Sequence, residues 1–130
     1  MSVFRLLIAG VAFLFCVFAT SHVSATGCNL LSFAVDDAST QLKRAAEETD
    51  YEATKEYTRR AKSALEDASM MTVMDCKCTA AHMEFDTAAS RVNRAQDAND
   101  PKDFVNYLNQ AIRAFNSGIE ALRVCSRGKK

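Results

Sequence analysis

Glycine and proline are scarce in this sequence. Its 130 residues include four glycines and one proline, and between residues 29 and 117 Pro101 is the only residue of either type. Because glycine and proline most often interrupt helices, their scarcity predicts long uninterrupted helices. It also excludes a glycine-rich loop of the kind that binds phosphate groups.

The sequence carries no net charge of either sign. Sixteen Lys and Arg residues balance sixteen Asp and Glu residues. Proteins that bind nucleic acids usually carry a basic excess, so this balance argues against a nucleic-acid partner. The short basic segment SRGKK, residues 126–130, is interpreted as a solvated chain end.

Histidine is scarce as well. The sequence has two histidines: His22 lies next to an N-terminal apolar segment, and His82 lies in the middle of the chain. With that segment removed, only one histidine remains, so a Ser–His–Asp or Cys–His arrangement has no spare parts, and we find no catalytic constellation. The many carboxylates alternate with Lys and Arg, as on solvated helix faces. The sequence therefore predicts no enzymatic activity and no cofactor.

A long apolar run occurs only near the start of the chain. Residues 6–19 are apolar and follow Arg5, but they are shorter than the roughly twenty residues of a membrane-spanning helix. The segment 23–25, VSA, places small residues before a cleavage point after Ala25. This layout predicts a signal peptide over 1–25. The protein is thus expected to be secreted or periplasmic, with no membrane span in the mature chain.

An alternative for the N-terminus is a lipoprotein. The segment 24–28, SATGC, loosely fits a bacterial lipoprotein site at which Cys28 would be acylated. Ala25 stands where such sites usually have leucine, which weakens the fit. Acylation would also remove Cys28 from the disulfide pairing described below, so this alternative is disfavoured.

The sequence predicts a single all-α domain over 26–130. Strong helix formers dominate it, and apolar residues recur every three or four positions, as expected for one buried helix face. Four such stripes are present: Leu31, Val35, Ala38, Leu42 and Ala45; Ala53, Tyr57, Ala61, Ala64, Ala68 and Met71; Ala81, Phe85, Ala88, Val92 and Ala95; and Leu108, Ile112, Phe115, Ile119 and Leu122. We therefore predict four amphipathic helices.

Short turns connect the predicted helices in pairs. Asp50 is the predicted N-cap of the second helix, and Asp100, followed by Pro101 at the first helical position, is that of the fourth. Short connections force neighbouring helices to lie antiparallel. The predicted fold is a four-helix bundle built from two tandem antiparallel helical hairpins.

The two hairpins match when the sequence is shifted by fifty residues. Both turns, two of the apolar stripes and the starting cysteines, Cys28 and Cys78, coincide without a gap. We interpret this match as a duplicated hairpin, with repeats over 28–76 and 78–125.

Four cysteines follow the predicted signal peptide, namely Cys28, Cys76, Cys78 and Cys125. An even number in a small exported domain predicts disulfides. Because each repeat begins and ends with a cysteine, we predict Cys28–Cys76 and Cys78–Cys125, so that each hairpin is closed by a disulfide. The crossed pairing, Cys28–Cys78 with Cys76–Cys125, stays open because all four cysteines lie at one end of the predicted bundle.

The segment 70–83, MMTVMDCKCTAAHM, is rich in sulfur and contains the remaining histidine. Thioether, thiolate and imidazole groups suit Cu(I). Oxidised cysteines cannot act as thiolates, however, and methionine commonly fills gaps in helical cores, so we predict no metal site. The alternative is a periplasmic copper-binding protein in which Met70, Met74, His82 and Met83 bind the ion beside intact disulfides.

The fourth predicted helix carries more apolar residues than one stripe requires. One interpretation is a central helix that buries two faces. The other is an exposed patch of Phe104, Tyr107 and Leu108 that binds a partner protein or a second copy of the chain. Tyr57, at the equivalent place in the first hairpin, would be the matching contact. Gly118 indicates either a close helix approach or a weak point in this helix. We predict a non-catalytic protein-binding or structural module.

Overall fold

The computed structural model describes residues 29–74 and 76–127, which form four helices. They are α1, Asn29–Glu47; α2, Tyr51–Met74; α3, Thr79–Asp97; and α4, Pro101–Arg127. No strand occurs in this part of the chain. The predicted all-α class and the four helices are confirmed. The predicted signal peptide over 1–25 lies outside the described residues.

Both predicted N-caps are present. The Asp50 carboxylate accepts a hydrogen bond from the backbone N–H of Glu52 at 3.0 Å. The Asp100 carboxylate accepts one from the backbone N–H of Lys102 at 2.9 Å. Each cap satisfies an N–H group that has no partner within its own helix. These side chains therefore define where α2 and α4 begin.

The helix boundaries repeat along the chain. Helices α1 and α3 each contain 19 residues. They begin fifty residues apart, and so do α2 and α4. The predicted stripes of α1 and α3 are both buried in full. The two halves of the described chain thus have the same order of helices and turns.

The core is made of the predicted stripes and a few large side chains. Phe85, Phe104 and Phe115 are fully buried and are the largest side chains in it. The α4 helix buries a face wider than its predicted stripe, since Val105, Ala111 and Ala114 are covered as well. The small residues Ala and Gly elsewhere allow close helix packing. The extra apolar residues of α4 are therefore buried, although the extensive backbone contacts of this helix are with α3 and not with helices on two sides.

Three threonines on α2 are also fully buried: Thr54, Thr58 and Thr72. Each hydroxyl donates a hydrogen bond to the carbonyl four residues earlier, at 2.8, 2.7 and 2.6 Å. The polar group is thereby satisfied within the helix. These side chains contribute their methyl groups to the core, which composition alone does not indicate.

Helices that follow each other along the chain make the close backbone contacts. The most extensive contact is that of α3 with α4, followed by α1 with α2 and α2 with α3. The α2–α3 contact joins the two halves of the bundle, and the candidate site described below lies there. No described helix is long and apolar enough to cross a membrane.

A disulfide joins Cys78, just before α3, to Cys125, near the end of α4. It closes the open end of the second hairpin, as predicted. It also excludes the crossed pairing, in which Cys78 would be joined to Cys28 and Cys125 to Cys76. Cys76 is disulfide-bonded too. Its predicted partner, Cys28, lies outside the described residues, so the Cys28–Cys76 bond stays a prediction.

Candidate functional site

Large apolar side chains are exposed mainly around the α2–α3 corner. Six such side chains are exposed in the described part of the chain, and four of them fall within 70–83. They are Met70, Val73, Met74 and Met83; the other two are Phe33 and Val124. Scattered apolar residues are normal on protein surfaces, whereas clustered ones mark interaction sites.

A cleft of about 430 Å³ lies between the C-terminal half of α2 and the first turns of α3. We call it the methionine cleft. Five of its lining residues come from α2: Glu66, Ser69, Met70, Val73 and Met74. The other two, His82 and Asp86, come from α3. Residues three and four positions apart share a helix face, so each wall of the cleft is one face of one helix.

The cleft has an apolar floor and an acidic rim. Met70, Val73 and Met74 provide thioether and methyl groups, and 60, 47 and 69 per cent of their surface remains exposed. Glu66 and Asp86 are the only charged residues that line the cleft in the described chain. The Oε1 atom of Glu66 lies 3.8 Å from the Nζ of Lys62, one turn earlier on α2. The cleft therefore favours an apolar ligand that carries positive charge.

The His82 ring is held against the backbone of α2. Its Nδ1 lies 3.0 Å from the carbonyl oxygen of Ser69 and 2.8 Å from the Ser69 hydroxyl. The carbonyl oxygen can only accept a hydrogen bond, whereas the hydroxyl can donate or accept one. In either case the contacts with Ser69 occupy Nδ1 and orient the ring. Nε2 is therefore the ring nitrogen that remains available to a ligand.

The structure brings together three of the four residues of the predicted alternative metal site. Met70, Met74 and His82 line the methionine cleft. Met83 does not line it, although 62 per cent of its surface is exposed. On α3 it lies one residue, about 100°, beyond His82, which turns it away from α2.

Conventional metal ligands are not clustered in the described chain. No three His, Cys, Asp or Glu side chains within residues 29–74 and 76–127 are placed to hold one metal ion. The three described cysteines, Cys76, Cys78 and Cys125, are disulfide-bonded. Any metal bound in the described cleft would therefore need thioether ligands from methionine.

The predicted partner-binding patch on α4 is wrong as an exposed surface. Phe104 and Leu108 are fully buried in the core, and the Phe104 ring packs edge-on against Tyr51 with 5.4 Å between centroids. Both positions belong to the buried face of α4. Tyr107 and its counterpart Tyr57 are half-buried, and without Phe104 and Leu108 they do not form the predicted surface.

Sequence reasoning missed four residues of the cleft: Glu66, Ser69, Val73 and Asp86. A signal for them exists, since Glu66 and Met70, like His82 and Asp86, are four residues apart and so share a helix face. What the sequence could not supply is the lateral placement of α2 beside α3, which brings the two faces together.

Comparison of the chain with protein-family models, with curated proteins and with solved structures finds no match. Its function is therefore inferred from the geometry of the cleft and from the disulfide.

Proposed function

We propose that this protein is an exported, non-catalytic protein-binding module whose methionine cleft docks an apolar, basic segment of a partner protein. The observation that carries the proposal is the exposure of Met70, Val73 and Met74 around one cleft with an acidic rim. Exposed methionines suit such a role because the unbranched, polarizable side chain adapts to different apolar partners.

The charge of the cleft selects the chemistry of the partner. Glu66 and Asp86 flank the apolar floor without a basic residue in the lining. A partner segment with leucine-like side chains on one face and Lys or Arg beside them would bury the methionines and meet both carboxylates. Charge complementarity of this kind mainly sets specificity and association rate, while the buried apolar area supplies the affinity.

The disulfide supports export. Disulfides persist in oxidising compartments and are rare in the cytosol, and Cys78 and Cys125 are joined here. We further propose that the signal peptide over 1–25 is removed and that Cys76 pairs with Cys28. With Cys78 and Cys125 bonded to each other, Cys28 is the only other cysteine after residue 25.

On this proposal the mature protein consists of two tandem hairpins, each closed by its own disulfide. The fifty-residue offset between equivalent helix starts supports it. The two disulfides would restrain the end of α2 and the start of α3, the two helices that form the cleft. A rigid docking surface loses less conformational freedom when a partner binds.

The test compares Met74→Ser with Val124→Ser in the oxidised mature protein. The two positions are fifty residues apart on α2 and α4, and 69 and 60 per cent of their surfaces are exposed. The probe is a fluorescent helical peptide of leucine and lysine, with a leucine–glutamate peptide of equal length as the charge control. We expect the Leu/Lys peptide to bind more tightly, and Met74→Ser to weaken it about tenfold, the worth of one partly buried apolar side chain.

Val124→Ser should leave peptide affinity unchanged, because Val124 does not line the cleft. Equal weakening by both variants, or equal affinity for the acidic peptide, would contradict docking at the methionine cleft. Sedimentation of the free protein supplies a further check. A dimer that Met74→Ser dissociates would make the occupant a second copy of this chain and overturn the proposed partner chemistry.

A further inference from the structure

We propose that the methionine cleft also binds a soft monovalent cation of the Cu(I) class, through Nε2 of His82 and the thioether sulfurs of Met70 and Met74. This inference does not depend on the docking of a partner protein. It rests on the position of three donors in one cleft, on the contacts with Ser69 that occupy Nδ1 of His82, and on the exposure of the two thioethers.

The imidazole is prepared as a ligand. Because Nδ1 of His82 is occupied by the carbonyl and the hydroxyl of Ser69, at 3.0 and 2.8 Å, Nε2 is the ring nitrogen left for a metal ion. Metal-binding histidines commonly donate their second ring N–H to a backbone carbonyl or carboxylate in this way, which fixes the ring and raises its basicity. Here the carbonyl belongs to α2, the same helix that carries both methionines.

The two thioethers lie next to each other on α2. Met70 and Met74 are four residues apart and so project from the same face on successive turns. Both line the cleft, and 60 and 69 per cent of their surfaces are exposed. Met71 differs, because it is half-buried and packs against the core. The methionines of the cleft are therefore available to a ligand in a way that a core methionine is not.

The donor set selects the ion. Thioether sulfur is a soft, neutral donor that favours Cu(I) over Zn²⁺, Mg²⁺ or Ca²⁺. Two thioethers and one imidazole carry no charge, so the site suits a monovalent ion better than a divalent one. Glu66 and Asp86 at the rim offset the charge of the bound cation without being its ligands. No electron is transferred on binding, since the ion enters and leaves in the same oxidation state.

Silver ion is the appropriate probe, because Ag(I) has the same soft, monovalent character and needs no reductant that would break the Cys78–Cys125 disulfide. The oxidised mature protein is titrated with silver nitrate in chloride-free buffer, without peptide. Methyl spectra of methionine and nitrogen spectra of histidine report the ligands. We expect the Met70 and Met74 methyl signals and Nε2 of His82 to shift, and the Met83 methyl to stay in place.

Variants separate the site from general binding of silver to methionine. Met70→Leu combined with Met74→Leu keeps the apolar shape and removes both sulfurs, and Met83→Leu is the matched control on α3. The double variant should lose affinity at least about tenfold, as removal of metal-site partners commonly does, and the control should bind as the parent does. Circular dichroism confirms that each variant is folded.

Three results would overturn the proposal. The first is unchanged silver affinity in the double variant. The second is an equal loss in Met83→Leu, which would show binding to any exposed methionine. The third is a Zn²⁺ affinity equal to that for Ag(I), which would show that thioether sulfur does not select the ion. A shift of Nδ1 rather than Nε2 of His82 would also contradict the proposed geometry.

Discussion

Replacement of Gly118 by alanine tests how closely α3 and α4 pack. A Cβ atom at this position would lie 2.5 Å from Cε1 and 2.7 Å from Cδ1 of Phe85. Phe85 is fully buried, and its ring packs against Phe115 with 5.6 Å between centroids. The ring can therefore give way only by displacing its buried neighbours. Glycine at 118 is needed for the close approach of the two helices.

Two effects of opposite sign decide the magnitude. Alanine gains about 1 kcal/mol over glycine in a helix interior. Insertion of an extra carbon into a well-packed core costs typically about 1–3 kcal/mol, and a contact this short with a buried ring belongs at the upper end. Gly118→Ala should therefore lower the free energy of unfolding by about 2 kcal/mol.

A double-mutant cycle with Phe85→Leu identifies the cause. The smaller leucine removes the ring atoms that the new Cβ would meet. In the presence of Phe85→Leu, the change Gly118→Ala should be neutral or stabilising, which gives a coupling free energy of about 2–3 kcal/mol. Urea unfolding of the four oxidised proteins measures these values. Ser117→Ala, at an exposed neighbouring position, is the control and should change stability by less than about 0.5 kcal/mol.

A stability of Gly118→Ala equal to or above that of the parent would refute the close packing of Gly118 on Phe85. So would a loss of stability that Phe85→Leu does not relieve. In that case the glycine would be a weak point in α4 and no more than that.

Three further predictions concern other parts of the bundle. The double substitution Cys78→Ser and Cys125→Ser should lower the free energy of unfolding by about 4 kcal/mol in the chain-entropy treatment, because the bond spans 47 residues. Denaturation under non-reducing conditions measures this loss. An unchanged denaturation midpoint would contradict the prediction. A hydrogen bond from Arg59 lowers the pKa of Glu56 from 4.5 to about 2, so the stability that this carboxylate contributes is present above about pH 4.5 and is lost as the pH falls towards 2. A carboxyl NMR titration should show the low pKa, and Arg59→Gln should raise it; no movement would exclude Arg59 as the cause. Asp100→Ala should cost about 1 kcal/mol through loss of the α4 N-cap, whereas Asp97→Ala at an exposed site near the end of α3 should cost much less.

The local parts of the fold could be predicted from the sequence. The stripe that begins at Leu31, the caps at Asp50 and Asp100, and the turn before Pro101 are all properties of neighbouring residues. Helix periodicity and capping depend on positions three or four apart, so the signal is complete within each segment. These features are present in the structure where the sequence places them.

The parts that depend on how helices meet could not be predicted. Phe104 and Leu108 fit both a core and an exposed patch, and only the packing of α4 shows that they are buried. The alternatives for Gly118 are likewise decided by a single neighbour, the Phe85 ring. The contact of His82 with Ser69, thirteen residues away across a corner, has no signature in a single sequence.

The corner between α2 and α3 makes the protein a pair of halves joined by one peptide segment. Lys77 is exposed, has a left-handed backbone with φ of 52°, and lies between the disulfide-bonded Cys76 and Cys78. Cys78 is joined to Cys125, and the remaining cysteines of the sequence precede α1, so no sulfur bridge within the chain crosses this lysine. One tryptic cut there would leave two polypeptides held together by packing alone, mainly that of α2 against α3. The strength of that packing could then be measured as a dissociation constant, because the fraction of paired halves would depend on their concentration. The intact chain is the tethered form of this heterodimer.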